Sequence, residues 1–270
     1  MVKTVGGHRR ITVQEVLRFV REQNHSIVEP QLLALPSTQD RKARRIGGCA
    51  ERLAKGLLAG NEDTCRAIVF DLFIAGQPVS RIFDEVVAPA FRTIGEKWEC
   101  REAEIWQERS SCQIAIRVLH DLRSKLTPPK SDRAVLGATI EGDLYSLPGT
   151  MAEIVLRSMG WDARLLGQSI PFESMSNAIE QHEPVIFWLS VSHIPSESAF
   201  VTGFQRLFQV ASDANTAIVV GGRALTPELR SQLRYAAFCD TMQHLEEFAR
   251  TQLRQSDVPA TKSRKKPKVH

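Results

Sequence analysis

Three short polar segments, each placed directly after an apolar run, constrain this chain more than any other feature. The first is the segment 143–148, the second contains Ser190 and Ser192, and the third is Gly221-Gly222. The apolar runs cover residues 134–140, 185–191 and 217–220. Amphipathic segments of helical period separate these runs, and this alternation predicts a parallel sheet with helices on both faces. Ligands bind such a sheet at the carboxyl ends of its strands, so the three polar segments are predicted to meet there.

Five strands are predicted in this half of the chain. They cover residues 133–140, 163–166, 185–191 and 217–220, with a fifth near Phe238. Helices are predicted between the strands and at residues 245–255. The expected domain, over residues 132–256, is therefore a five-stranded, doubly wound parallel sheet of the flavodoxin-like α/β class.

The segment before the sheet, residues 37–127, is predicted to be an all-α bundle of four helices. The first helix has an apolar stripe formed by Leu53, Leu57 and Leu58. The same period continues through residues 62–75, 79–98 and 103–126. Gly76-Gln77-Pro78 is a turn signal between two of these helices, and Pro89 is expected to kink the third. Short connections favour antiparallel neighbours, and a proline-containing linker at 127–131 ends the segment.

The two ends of the chain are predicted to differ from the rest. Residues 1–36 contain a Gly6-Gly7 turn, then Thr12 as a good N-cap for a helix. Four apolar residues are predicted to share one face of that helix, namely Val16, Leu17, Phe19 and Val20. Residues 257–270 are basic and are predicted to be a disordered tail.

The composition excludes several classes of protein. The charged fraction is 24% and the hydrophobic fraction 43%, and no apolar run reaches the roughly 20 residues of a membrane helix. Five cysteines without a C-x-x-C pair suit a reducing compartment, so we expect a cytoplasmic protein without a zinc site. The sequence has no nucleophile elbow and no phosphate-binding loop, and we therefore expect no enzyme. The net charge of +4, concentrated at the chain ends, favours acidic partners and nucleic acid first.

The three polar segments resemble the signature of the cobalamin-binding domain of methionine synthase and its relatives. That signature reads D-x-H-x-x-G, then S-x-L or S-x-S, then G-G, and its histidine is the lower ligand of cobalt. Asp143, the two serines and the glycine pair match, whereas Tyr145 stands at the histidine and Pro148 at the glycine. The resemblance implies that the serines line the pocket for the nucleotide tail of the cofactor. It also implies that the other signature residues are present while the metal-ligand histidine is not.

A second resemblance lies in the helical segment. Ile94-Gly95-Glu96-Lys97-Trp98 is similar to the I-G-x-x-W sequence in the cap of cobalamin-dependent photoreceptor repressors. Those proteins carry W-x9-E-H, with Trp and Glu over the upper face of the cofactor and a histidine that ligates cobalt after light exposure. Here Trp98 is followed, after nine intervening residues, by Glu108-Arg109, so the second ligand histidine is also replaced.

A third resemblance lies at the N-terminus. Residues 4–11 are similar to the T-P-G-G-H-R-R turn that forms the wing of MerR-type winged helix-turn-helix domains. The resemblance implies that His8, Arg9 and Arg10 contact DNA phosphates, which position a protein without reading bases. The recognition helix that precedes such a wing is absent from this sequence, so we expect an N-terminally truncated form that binds DNA weakly on its own.

Together these resemblances imply a MerR-type transcriptional regulator, expected to be homo-oligomeric, that responds to light or to a tetrapyrrole ligand. Its cofactor site is predicted to contain Trp98, Glu108, Arg109, Asp143, Tyr145, Ser190, Ser192, His193, Gly221 and Gly222. Cobalamin with weakened ligation, haem, or no cofactor all remain open, because phenolates bind ferric iron and His193 is placed near the predicted site. Two other functions also remain open: an antirepressor that binds a DNA-binding partner protein, and a corrinoid carrier subunit of an enzyme.

Overall fold

The structure is a computed structural model that describes residues 2–3, 9–23, 25, 27, 29–36, 46–129 and 133–256. The predicted tail at 257–270 lies outside the described residues, as does His8 with the rest of 4–8. Within the described part, no helix is both long enough and apolar enough to cross a membrane.

The N-terminal segment forms a two-stranded hairpin followed by a helix. β1 (Val2–Lys3) pairs antiparallel with β2 (Arg9–Arg10), which is the arrangement expected of a wing. Helix α1 (Val13–Glu22) begins at Thr12, whose hydroxyl accepts a hydrogen bond from the Glu15 backbone N–H, as predicted for an N-cap. A short 3₁₀ turn follows at Pro30–Leu33.

The predicted apolar face of α1 is wrong at one position. Leu17 and Val20 are buried against the bundle, and Val16 packs beside them. Phe19 is instead 56% exposed and lies beside the His25 ring, with 5.6 Å between the ring centroids. Residues 16, 17 and 20 lie within one helical turn of each other, whereas position 19 is rotated out of that stripe.

Within residues 46–129, four helices form the bundle. They are α2 (Cys49–Leu58), α3 (Glu62–Ile74), the run from α4 (Val79–Ile82) to α5 (Ala88–Glu99), and α6 (Ile105–Ser124). Leu53 and Leu57 are buried in the bundle core and Leu58 packs against it, so the predicted stripe is confirmed. Asn61 caps the start of α3 by accepting a hydrogen bond from the Thr64 backbone N–H.

Pro89 was expected to kink the third helix. The structure instead has a π-helical turn at Phe83–Val87, between α4 and α5, just before this proline. The Ala88 backbone N–H reaches the Phe83 carbonyl, five residues back rather than four. A proline removes one helical hydrogen bond and clashes with the carbonyl four residues before it, here that of Glu85. The wider turn stands directly before Pro89 and relieves that conflict.

The second half of the chain is a five-stranded parallel sheet. Its strands are β3 (Ala134–Thr139), β4 (Asp162–Leu165), β5 (Ile186–Ser190), β6 (Ala217–Gly221) and β7 (Ala237–Phe238). Their spatial order, β4-β3-β5-β6-β7, is that of a flavodoxin-like fold. The connecting helices are α7 (Leu147–Ser158), α8 (Phe172–His182), α9 (Glu197–Asp213) and α10 (Pro227–Arg230), and α11 (Met242–Ser256) follows β7. The predicted fold class is confirmed.

The bundle lies against α7 and α11, on one face of the sheet. Asp84, in the π-helical turn, accepts hydrogen bonds from the backbone N–H groups of Met242 (2.8 Å) and Gln243 (2.9 Å) at the start of α11. On α6, Arg123 Nε lies 3.0 Å from Oε1 of the buried Glu153 on α7. The bundle therefore caps one helix of the sheet domain and forms an ion pair with another.

Candidate functional site

The loop after β3 is fixed by the carboxylate of Asp143, which is completely buried. Its Oδ1 accepts a hydrogen bond from the Tyr145 backbone N–H at 3.0 Å. Its Oδ2 accepts from the backbone N–H groups of Ser192 at 2.6 Å and His193 at 3.3 Å. A buried carboxylate needs such donors, and here they come from two loops. Asp143 therefore ties the loop after β3 to the loop after β5.

Tyr145 lies half-buried between two arginines. The guanidinium carbon of Arg109, on α6, is 5.7 Å from the centroid of the phenol ring, and that of Arg223 is 5.2 Å away. Arg109 Nε also lies 3.6 Å from Glu108 Oε2. The bundle and the sheet each place one cation beside the phenol, so this part of the site favours an anionic group over a further cation.

The ends of β5 and β6 lie side by side, with Ser190 opposite Gly221 in the strand register. Ser190 is buried, and its Oγ has no hydrogen-bond partner among the described residues. At Gly221 a Cβ atom would lie 2.7 Å from the Cys239 carbonyl oxygen. Gly222 has a φ of +123°, and a Cβ there would lie 2.2 Å from the Val191 carbonyl oxygen. The backbone packs so closely here that both positions require glycine.

A cavity of about 310 Å³ lies between these strand ends and the bundle. The bundle contributes Asp84, Val87, Ala88 and Phe91 to its wall. The sheet domain contributes residues of β5, β6, α7 (Pro148 among them) and α11, together with Gly222 and the segment 239–241. Burial, together with the neighbouring Asp240, raises the pKa of the Cys239 thiol to about 11, so the thiol is neutral near pH 7. The cavity is therefore mostly apolar, with few polar groups in its wall.

Of the ten predicted site residues, Ser190, Gly221 and Gly222 line this cavity, and the other seven lie outside its wall. Trp98, at the end of α5, is 47% exposed, and the neighbouring Ile105 and Trp106 at the start of α6 are exposed as well. Glu108 is partly buried beside Arg109. His193 is exposed and bonds Asp143 only through its backbone N–H, as Ser192 does. Among the described residues, no group of three or more His, Cys, Asp or Glu side chains could hold a metal ion.

Sequence reasoning missed several residues that the fold brings to the site. Arg223 follows the Gly221-Gly222 pair directly, so its nearness in sequence was a usable signal. Trp188 precedes Ser190 by two positions on β5, and alternation along a strand places both on one face. Asp84 and Phe91 come from the bundle, and only the docking of the bundle on the sheet brings them near the strand ends.

Two comparisons with known proteins identify relatives of this chain. A family model described as the B12 binding domain matches residues 49–122, which run from the start of α2 into α6. Over 239 aligned residues the chain is 30% identical to the HTH-type transcriptional repressor CarH of Myxococcus xanthus, and the match covers 82% of this chain and 79% of the repressor. The chain belongs to the family of MerR-type, cobalamin-binding transcriptional regulators.

One solved structure has a fold similar to that of this chain. The monomethylamine corrinoid protein of Methanosarcina barkeri superimposes with a TM-score of 0.62 at 16% identity, covering 73% of this chain and 94% of that one. At this identity the similarity concerns the fold alone. A cobalamin-binding protein of Desulfitobacterium hafniense gives a TM-score of 0.41 at 14% identity, over 74% of this chain and 96% of that one. That score is too low for a structural argument.

Proposed function

We propose that this protein is a transcriptional regulator controlled by a tetrapyrrole-type ligand, which binds between bundle and sheet without a histidine on its metal. The observation that carries this proposal is the cavity at the bundle–sheet junction. The cavity has the serine and glycines of the family signature in its wall, whereas the side chain at the position of the ligand histidine is a phenol.

The described residues fit one part of cobalamin and not another. In the resembled domain the serine after the third strand lines the pocket for the nucleotide tail, and here Ser190 lines a cavity with its Oγ unpaired. The cobalt end of the site instead contains Tyr145, with Arg109 and Arg223 beside it. A neutral phenol is a poor ligand for cobalt, and the nearby guanidinium groups disfavour added metal charge. We therefore expect weak cobalamin binding without a protein ligand on cobalt.

Haem is the second candidate ligand, and the same residues favour it. Haem carries two carboxylates, whereas the side chains of the corrin ring are neutral amides. Two guanidinium groups beside Tyr145 match an anionic ligand better than a neutral one. A phenol oxygen is also a known axial ligand of ferric haem.

Two observations favour a transcriptional regulator over a corrinoid carrier. The similarity to a transcriptional repressor extends over 82% of the chain, whereas the similarity to the methylamine corrinoid protein is one of fold. Tyr145 also stands where the resembled carriers have their cobalt ligand. A ligand that touches both bundle and sheet would favour one pose of the two and thereby select one assembly state.

The test is to titrate the purified protein with adenosylcobalamin and with haemin while recording absorbance, and to follow its oligomeric state by light scattering. We expect one of the two to bind and to shift the oligomeric state in the dark or after illumination. A ligand that binds and changes neither the oligomeric state nor DNA binding would contradict control by that ligand. Failure of both ligands to bind would contradict the tetrapyrrole proposal itself.

A further inference from the structure

A second cavity, of about 400 Å³, lies where helix α1 meets the bundle and the sheet domain. Its wall consists of α1, the C-terminal end of α3, the segment 125–127 after α6, and the end of α7. Among the described residues, none lines both this cavity and the one at the strand ends. The helices of such a fold run antiparallel to its strands, so the end of α7 places the second cavity toward the amino ends of the strands.

The wall of this second cavity carries more positive than negative charge. Arg18, Arg21 and Lys125 contribute three cations and Glu22 one carboxylate, a net charge of +2 among the wall residues that the structure describes. Glu22 Oε1 lies 3.9 Å from Arg18 Nε, and both side chains are well exposed, so this ion pair is weak. Arg21 and Lys125 are therefore left without a carboxylate in the described part of the wall.

Arg21 is the most deeply placed of these cations. Its guanidinium carbon lies 3.8 Å from the centroid of the Phe73 ring, and its Nη2 donates a hydrogen bond to the Gln77 carbonyl oxygen at 3.1 Å. Its Nε is buried and has no hydrogen-bond partner within the described ranges. Burial lowers the pKa of this guanidinium to about 10. Buried charges are normally paired, so Arg21 indicates a missing anion.

Helix ends give another reason to place cations here, because the last carbonyls of a helix carry partial negative charge. The three helix ends at this cavity are already hydrogen-bonded within the chain. The backbone N–H groups of Gly76, Leu126 and Gly160 each donate to the carbonyl three residues earlier. Capping therefore does not require Lys125 or the Nε of Arg21, and both remain available to a ligand.

We infer that this cavity binds a small molecule through a phosphate group that Arg18, Arg21 and Lys125 hold. A phosphate monoester carries a charge of about −1.5 to −2 near pH 7 and three acceptor oxygens. It therefore matches the charge of the wall and its three cationic donors better than a carboxylate, which has one charge and two oxygens. Apolar residues such as Leu17 and Met159 leave room for an organic group, and the volume lies within the range of about 300–1,000 Å³ that is usual for small-molecule sites.

Such a ligand would connect three parts of the molecule. Arg18 and Arg21 lie on α1, which follows the β1–β2 hairpin, whereas Lys125 follows the last bundle helix and the segment 158–160 belongs to the sheet domain. A bound phosphate would therefore favour one orientation of α1 and its hairpin relative to the rest of the chain. The inference goes beyond the proposed function, since it concerns another cavity and another class of ligand.

Three probes test the chemistry of the ligand. Phenyl phosphate carries the phosphate and an apolar ring, inorganic phosphate carries only the anion, and phenol is the ring without the phosphate. Calorimetric titration of the whole protein at physiological salt should show saturable binding of phenyl phosphate and no measurable binding of phenol. Inorganic phosphate that binds equally tightly would identify free phosphate as the ligand, whereas binding about tenfold weaker would identify a monoester. No binding of either phosphate, or equal binding of phenol, would overturn the inference.

Charge-removing variants localise the site. Lys125→Gln should weaken phenyl phosphate binding about tenfold, and no described side chain pairs with Lys125 and would lose a contact. Lys55→Gln is the matched control, because Lys55 is an exposed lysine on α2 outside the cavity wall, and its affinity should be unchanged. Arg21→Met keeps an apolar side chain over Phe73 and should weaken binding at least as much as Lys125→Gln. If Arg21→Met does not fold, Lys125→Gln decides, and equal affinity in Lys125→Gln and Lys55→Gln overturns the inference.

Hydrogen exchange tests whether the ligand connects α1 to the rest of the molecule. Phenyl phosphate should slow the exchange of the α1 backbone amides in the unaltered protein and not in Lys125→Gln. Binding that leaves the exchange of α1 unchanged would overturn this connection.

The phosphates of duplex DNA are the alternative partner of these cations. If neither small phosphate binds, and Lys125→Gln weakens the binding of a duplex oligonucleotide while Lys55→Gln does not, the cations contact DNA and the small-molecule site is rejected. The test of tetrapyrrole control is independent, because phosphate binding and tetrapyrrole binding can each fail while the other succeeds.

Discussion

At the scale of single residues, the buried Asp143 binds backbone N–H groups rather than a metal-ligand side chain. In the resembled domain this aspartate orients the ligand histidine. Here its two oxygens accept three backbone hydrogen bonds, and the phenol of Tyr145 is flanked by arginines instead. The aspartate therefore acts as a connection between two loops, and its loss should affect stability whether or not a cofactor binds.

We predict that Asp143→Asn lowers the free energy of unfolding by about 2 kcal/mol, because hydrogen bonds to a charged acceptor contribute roughly 1.5–3 kcal/mol each and an amide can keep only some of them. Urea unfolding followed by circular dichroism measures this. Asp213→Asn, on the exposed side of α9, is the control and should change stability by no more than about 0.5 kcal/mol. An Asp143→Asn variant as stable as that control would contradict the assigned role.

Ser190 is predicted to behave in the opposite way. Its buried hydroxyl has no partner among the described residues, and burial of an unpaired polar group costs roughly 1–3 kcal/mol. Ser190→Ala should therefore raise the stability of the ligand-free protein by about 1 kcal/mol, measured by thermal or urea unfolding, while it weakens ligand binding. A destabilised Ser190→Ala variant would show that the hydroxyl is already satisfied in the folded protein.

Site residues could be predicted from the sequence only where they follow an apolar run that forms a strand. Asp143, Ser190 and Gly221 each follow an apolar run, and parallel strands bring such positions to one edge. Asp84 and Phe91 carry no comparable signal, because they reach the cavity only through the docking of the bundle. The position of Phe19 was predicted wrongly. The four apolar residues cover a wider arc around the helix axis than the buried face does, and Phe19 lies at the exposed edge of that arc.

At the scale of elements, the π-helical turn at Phe83–Val87 connects the bundle to the sheet domain. Pro89 explains why the helix widens there, and the widened turn contains Asp84, which caps α11 from another helix. The proline was visible in the sequence, and its tertiary consequence was not.

We predict that Asp84→Ala lowers the free energy of unfolding by about 1 kcal/mol, the usual effect of losing an N-terminal helix cap. It should also increase protease cleavage between bundle and sheet, which limited proteolysis would measure. Glu85→Ala, on the same turn, removes an exposed ion pair with Arg81 and is the control, with an expected loss of about 0.5 kcal/mol or less. If the two variants lose the same stability and are cleaved equally, the cap does not hold the two parts together.

The hairpin of β1 and β2 carries the predicted DNA contacts. Replacement of Arg9 and Arg10 by Ala should lower DNA affinity and reduce the slope of log affinity against log salt by up to about 1.8, roughly 0.9 for each phosphate contact. Fluorescence anisotropy at several salt concentrations measures the slope. Arg164→Ala with Arg206→Ala removes the same charge from the sheet domain and should leave the slope close to that of the unaltered protein. An unchanged slope in the Arg9 and Arg10 variant would reject a wing role.

At the scale of the whole molecule, the alternation of strands and helices was sufficient to predict the sheet, and helical periodicity was sufficient for the bundle. The relative placement of the two was not predictable from either pattern. It depends on a few contacts that are distant in sequence, such as Asp84 with α11 and Arg123 with Glu153. The cavity is formed by the docking of the bundle on the sheet domain. Neither sequence pattern predicts that docking, so neither predicts the cavity.

We propose that this chain keeps the other residues of a cobalamin-site signature while both metal-ligand positions are changed. Absorbance titration with adenosylcobalamin tests it most directly, comparing the unaltered protein with a variant carrying Tyr145→His, Arg109→His and Pro148→Gly. We predict weak or no binding by the unaltered protein, and tight binding by the variant with the spectrum of histidine-ligated cobalamin. Tight binding by the unaltered protein with that same spectrum would contradict the claim, and the exposed His193 would then be the first ligand to replace.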